Sequence, residues 1–226
     1  MESLRRPVVY QGVTYPEYEM DFYTSQVYSV RYNDKVLKPR LRSSYLHFHM
    51  SNGLNPGEHQ FLAETFPDLL SKSPLVSHYD LKIGQDRHEL KTPMGFTFLC
   101  NMVCPDHIDN NRINNHHTNI MLVTQHENLL KCGPMMGKKY KCMTKTRYGT
   151  DRARVKWQNI LDKNGKEFCI SKTFKTEEEA ALRYNKMLEE ALLTVWGPDL
   201  GPKMYDFAYK NVIETPVEEL RFRIYG

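Results

Sequence analysis

The 23 residues from Asp106 to Asn128 constrain this chain more than any other part of it. They open with Asp106-His107-Ile108-Asp109-Asn110-Asn111 and close with Val123-Thr124-Gln125-His126-Glu127-Asn128, with Asn119 between. Just before, Met102-Val103-Cys104 is a short apolar run that reads as a strand ending at Asp106 and His107. The segment from Asp109 to Thr118 is too rich in Asn and His to pack a core and reads as loop. Ile120-Met121-Leu122-Val123 reads as a second strand. Thr124 followed by Glu127 has the capping-box spacing of a helix start. The order is therefore strand, polar loop, strand, helix. It sets Asn128 one turn into the helix, able to face back toward the end of the first strand.

Residue type indicates the chemistry. The carboxylate of Asp106 and the amide oxygen of Asn128 are hard ligands suited to Mg²⁺, which is commonly held by one or two protein groups with waters and substrate phosphate. His107 beside them is the side chain whose ordinary pKa best suits proton abstraction near neutral pH. One metal and one His next to a phosphodiester suffice for hydrolysis.

Asp-His, an Asn twelve residues after the His, and Val-Thr-x-x-Glu-Asn together resemble the HNH endonucleases of the ββα-metal class, in particular the homing type of phages and introns. The resemblance implies that His107 is the general base and that Asn119 holds the loop and the His in place. It implies that Asp106 and Asn128 bind one Mg²⁺ or Mn²⁺ per site, and that the partner is double-stranded DNA. His59-Gln60-Phe61-Leu62-Ala63 with Phe66 resembles the short helix that precedes the motif in that branch. The stretch from Pro67 to Pro105 is longer than the usual link, and is either an insertion over the site or a separate decoration. His116, His117 and His126 are expected at the surface or behind the site rather than as ligands.

Charge is unevenly spread. Residues 131–175 hold 13 Lys/Arg against 3 Asp/Glu, whereas residues 1–130 hold 12 against 14 and residues 176–226 hold 6 against 10. A block of net charge +10 is an electrostatic footprint for a polyanion. Within it, Arg152-Ala153-Arg154-Val155-Lys156-Trp157 alternates with period two, a half-buried strand with Arg152, Arg154 and Lys156 on one face and Trp157 in the core. Asn164-Gly165 is a hairpin turn signal, and Glu167 to Phe174 reads as the return strand. Lys139 to Arg147 reads as a third strand, with Lys141 and Lys145 spaced to share a face. Thr176 with Glu179 forms a second capping box. Ala180, Tyr184, Met187, Leu188, Ala191 and Leu192 recur at helical spacing to cover the sheet, until Gly197-Pro198 ends the helix. The run Lys172-Thr173-Phe174-Lys175-Thr176-Glu177-Glu178-Glu179-Ala180-Ala181 with Tyr184 resembles the plant ethylene-response-factor (Apetala-type) DNA-binding domain over residues 138–197, with Lys172 where that domain usually has Gly. The resemblance implies DNA contacts from Lys141, Lys145, Arg147, Arg152, Arg154 and Lys156.

The expected fold class is α+β, in four parts. Residues 1–55 form a β-rich module that either resembles the N-terminal DNA-touching module of homing enzymes or is a plain hairpin packed on the nuclease. A ββα-metal core follows over 56–133, with 67–105 its unusual insertion. A three-stranded antiparallel sheet on one helix spans 138–197, and a tail spans 198–226. No stretch approaches the roughly 20 apolar residues of a membrane span, and Met1 to Tyr10 lacks a signal-peptide core. Five cysteines, an odd count without a Cys-x-x-Cys pair, point to reduced thiols rather than disulfides or zinc. The expected setting is intracellular, the host cytoplasm for a phage or mobile-element protein. The sequence leaves open a monomer that nicks or a dimer that cuts both strands. Two rival readings are a non-catalytic DNA-binding regulator that keeps the scaffold and a nuclease directed at RNA.

Overall fold

Turn residues and short alternating runs punctuate the chain into many small elements. The structure is a computed structural model, and it describes residues 3–85 and 87–213. In chain order the strands and helices are β1 (Arg5–Tyr10), β2 (Val13–Asp21), β3 (Val27–Ser29), β4 (Lys35–Leu37), β5 (Arg40–Arg42), β6 (Tyr45–His47), α1 (Glu58–Thr65), β7 (Ser71–Lys72), α2 (Pro74–His78), β8 (His88–Lys91), β9 (Thr97–Cys100), β10 (Val103–His107), β11 (Ile120–Thr124), α3 (Gln125–Lys131), β12 (Met143–Lys145), β13 (Asp151–Leu161), β14 (Glu167–Phe174) and α4 (Glu177–Phe207). This is an α+β chain of two compact units, Met1–Arg87 with Asn101–Gln125, and His88–Cys100 with His126–Gly226.

In the first unit, β1 to β4 form an antiparallel meander. Gln11 and Gly12, at φ of 52° and 72°, close β1 onto β2 with the left-handed two-residue turn that matches strand twist. Asn33 and Asp34 also sit at positive φ between β3 and β4. The small strand β6 pairs with β5. Helix α1 buries Phe61, Leu62 and Ala63 completely and packs on β1, β2, β6, β10 and β11. Phe48 stacks on Phe61 with centroids 5.8 Å apart. The motif strands β10 and β11 pair antiparallel, with His107 opposite Ile120 and Asp106 opposite Met121. Strand β7 joins β11 on its other edge in parallel.

The long stretch 67–105 is thus divided between the units. Strand β7 and helix α2 pack on β11, whereas β8 and β9 form a hairpin in the sheet of the second unit. That sheet has five strands rather than the three expected. Strand β13 carries β14 on one edge, and β12 and β9 at opposite ends of the other. Its alternating burial puts Ala153, Val155 and Trp157 under α4 and leaves Arg152, Arg154 and Lys156 exposed. Trp157 stacks on Phe168 at 5.0 Å and 19°. Asp162 Oδ1 accepts from the backbone N–H groups of Asn164 and Lys166 and shapes the Asn-Gly turn.

Helix α4 starts as expected. Thr176 Oγ1 accepts from Glu179 N–H at 3.2 Å, and the Glu179 carboxylate reaches the Lys175 N–H. It does not end at Gly197-Pro198. Gly197 breaks the helix at φ 74°, and helical structure resumes to Phe207. Proline tolerates the first turn of a helix because its missing N–H has no partner to lose there. At Gly201 a Cβ would come within 3.0 Å of the Leu192 carbonyl oxygen, so the chain folds back too closely there for any side chain. The tail expected over 198–226 is therefore helical at its start, and residues 214–226 lie outside those described.

Candidate functional site

The polar loop between β10 and β11 is closed by its own side chains. Asn119 Oδ1 accepts from the Asp109 N–H at 3.1 Å, while Asn119 Nδ2 donates to Asp109 Oδ1 at 2.9 Å and to the Asn114 carbonyl at 2.7 Å. The Asp109 carboxylate also accepts from Asn114 Nδ2 and from the Asn111 N–H. These bonds, with that from Asn114 foremost, hold Asp109 below the usual carboxylate range. The Ile108 N–H donates to the Asn119 carbonyl at 2.8 Å and ties the two strand ends together. The loop needs Asp and Asn at these places because each supplies a short side chain that bonds backbone locally.

Neighbouring strand residues face opposite sides of a sheet, so Asp106 and His107 diverge. Asp106 is half-buried. His107 is 4% exposed, and its ring lies 5.2 Å from that of His59 and 6.0 Å from that of Tyr45. His107 Nε2 meets Asn115 Oδ1 at 2.7 Å, and Asn115 Nδ2 donates to Glu58 Oε2 at 2.9 Å. Burial raises the Glu58 carboxyl above its usual range, partly offset by the bond from Asn115. Burial, followed by the charges of His107 and His47, pushes His59 down to about 4, so it stands neutral beside His107. Sequence reasoning missed Glu58 and Asn115. The one signal was that Glu58 directly precedes His59 in the sequence, and that Asn115 lies eight residues after His107.

Asn128 lies in α3, and its Oδ1 faces the Cys132 thiol at 3.9 Å. Of the other histidines, His116 is exposed and His117 packs on the Phe22 ring at 4.5 Å. His126, expected at the surface or behind the site, is instead a core residue, 3% exposed. Among the described residues no three His, Cys, Asp or Glu side chains gather into a metal-holding cluster. A Mg²⁺ site requires none, since one or two protein oxygens and waters serve. Asp106 belongs to the first unit and Asn128 to the second.

No family model and no solved structure matches the chain. Among curated proteins it is similar to an uncharacterized HNH endonuclease of Acanthamoeba polyphaga mimivirus, 30% identical over 152 residues that cover 61% of this chain and 74% of the relative. The chain belongs to the HNH endonucleases. A nuclease-type function follows at the level of the family.

In this HNH endonuclease the cations expected to contact DNA are dispersed. Arg152, Arg154 and Lys156 share the exposed face of β13, opposite Thr173, Ser171 and Cys169 of β14. Lys156 is ion-paired with Glu167 at 2.5 Å. Arg147 is exposed in the turn before β13, its guanidinium 4.6 Å from the Tyr148 ring centre. Lys145 is exposed too, but it pairs with Asp151, and the register puts it on the side of the sheet away from Arg152. Lys141 lies outside any strand and is buried. Its ammonium donates to the Leu129 and Leu130 carbonyls at 2.8 and 2.7 Å. It therefore caps the C-terminus of α3, where a cation also meets the negative end of the helix dipole. Asn211 bonds both backbone groups of Lys141 and draws that segment off the sheet. Among the described residues no helix is long and apolar enough to cross a membrane.

Proposed function

We propose that this HNH endonuclease is a metal-dependent DNA endonuclease of the homing type, with His107 as general base. The observation that carries the reading is the hairpin of β10 and β11. Its loop is locked by Asp109 and Asn119, and its first strand ends in a buried His107 beside Asp106. His107 takes the proton of a water whose oxygen bonds to phosphorus. A bridging P–O bond then breaks, and its oxygen leaves with the bonding electrons. Asp106 and Asn128 would hold one Mg²⁺ or Mn²⁺, which when bound neutralises charge on the phosphoryl and leaving oxygens. Asn119 keeps the loop closed and the strand end fixed. Arg152, Arg154 and Lys156, with Arg147 beside them, supply phosphate and groove contacts from a sheet face, the docking mode of sheet-based DNA readers and the role implied by the resemblance to the ethylene-response-factor domain. One site per chain cuts one strand per engagement.

The test is nicking of supercoiled plasmid by wild type and His107→Ala, with Mg²⁺ and with EDTA. Loss of a general base costs about 10²–10⁴-fold in rate, while duplex affinity stays near wild type. Nicking by His107→Ala at the wild-type rate, or full activity in EDTA, overturns the reading.

A further inference from the structure

Glu58, Asn115 and His107 form a chain of buried polar side chains, at 8, 5 and 4% exposure. They come from the first turn of α1, the polar loop and the end of β10. Buried polar groups persist where they are satisfied in a definite geometry, and here each bond has a direction. The Asn115 amide nitrogen can only donate, and it donates to the Glu58 carboxylate at 2.9 Å. The amide oxygen can only accept, so the hydrogen between it and His107 Nε2, 2.7 Å away, belongs to the imidazole. The Asn115 backbone is held as well, since its carbonyl accepts from Ser25 Oγ at 2.9 Å.

We propose that Glu58 and Asn115 are positioning residues for His107. Glu58 orients the Asn115 amide, the amide fixes the ring as the Nε2–H tautomer, and Nδ1 is the nitrogen that takes the proton. The inference rests on the reading of His107 as general base. In the proton-transfer step Nδ1 gains the proton of water and Nε2 keeps its own. The positive charge formed on the ring then lies one amide away from the Glu58 carboxylate. Neither Asn115 nor Glu58 changes protonation. This is the arrangement of base and orienting group seen wherever a His must present one particular nitrogen, here with an amide inserted between imidazole and carboxylate.

The ring nitrogens report the tautomer directly. In metal-free, ¹⁵N-labelled full-length protein, wild-type His107 is expected to show a protonated Nε2 and an unprotonated Nδ1. Asn115→Asp combined with Glu58→Gln keeps an acceptor toward the imidazole and exchanges donor and acceptor across the other bond, so it should keep the pattern, whereas Asn115→Leu should lose it. In plasmid nicking, Asn115→Leu is expected to lower kcat by roughly 10- to 100-fold, the usual cost of losing an orienting partner, with KM and duplex affinity unchanged. The paired Asn115→Asp, Glu58→Gln variant should restore most of the rate. A wild-type His107 protonated at Nδ1 overturns the proposal and needs no variant to fold. So does an Asn115→Leu protein that nicks at the wild-type rate. If His107→Ala itself nicks normally, the general-base reading fails and the positioning role with it. If only the Asn115 results fail, the base stands and its orienting group is elsewhere.

Discussion

Lowering the pH should destabilise the second unit through one residue, His126. Its ring is enclosed by Trp157, Phe98 and Trp196, with centroids at 5.2, 5.7 and 6.0 Å. Nδ1 faces Asn159 Oδ1 at 3.2 Å, and Nε2 has no hydrogen-bond partner among the described residues. Burial pushes its pKa from 6.5 to about 4. The Asn159 bond opposes the shift and the nearby charge of Lys141 adds to it. The folded protein therefore keeps His126 neutral where the unfolded chain has already bound a proton. Between about pH 6.5 and 4 the unfolded state holds the extra proton, so stability falls as pH falls. The slope is up to ~1.4 kcal/mol per pH unit, and the total is about 3 kcal/mol by the acid end of the window. Against the roughly 5–15 kcal/mol that a domain has in hand, that is a large share. His126→Phe removes the titration and keeps a flat ring in an aromatic cage, and half-buried Asn159 is left within reach of water. The chain has two tryptophans, Trp157 and Trp196, and both lie in the second unit against His126. Urea unfolding followed by tryptophan fluorescence therefore reports on that unit alone. It is run in EDTA so that no ion binds at nearby Asn128. The wild type should lose about one proton's worth of stability more than His126→Phe across the window. Parallel stability curves for the two proteins would refute the reasoning.

Three further outcomes are expected. Asp106→Ala and Asn128→Ala should each demand far more Mg²⁺ for nicking, and a Mg²⁺ titration superimposing on wild type would remove that residue from the ligand set. Replacing Arg152, Arg154 and Lys156 together by Ala should weaken duplex binding and flatten the dependence of log K on log salt by about 0.9 for each phosphate no longer neutralised; an unchanged slope in a folded protein would make the face merely solvated. Lys141→Met should leave the salt slope alone but destabilise the second unit in urea by about 1–3 kcal/mol, because the buried Leu130 carbonyl and the part-buried Leu129 carbonyl lose their donor. A Lys141→Met protein of wild-type stability with a flattened slope would put Lys141 on the DNA after all.

What is legible in the sequence is what is local. The loop from Asp109 to Asn119 closes through bonds spanning no more than ten residues, and Asp and Asn are short side chains with two polar atoms suited to making them, so residue type and geometry coincide. The same holds for the Thr176 cap, the Asn164-Gly165 turn and the alternation that buries Trp157 and exposes Arg154. What escapes a sequence reading is non-local. Nothing near residue 98 announces that Phe98 pairs with Ile160, so the hairpin of β8 and β9 reads as part of the nuclease. Lys141 reads as a strand residue because charged and apolar positions alternate around it. Its backbone is instead taken by Asn211, seventy residues away, and the left-handed φ of 59° at Cys142 ends any strand before Met143. Glu58 and His107 are 49 positions apart, and their link depends on an Asn that looks like any other in the loop. Pattern identifies a face or a turn when the partner is within a few residues. A buried polar side chain whose partner is far along the chain can be assigned only once the fold has brought the two together, and here the orienting group of His107 is of that kind.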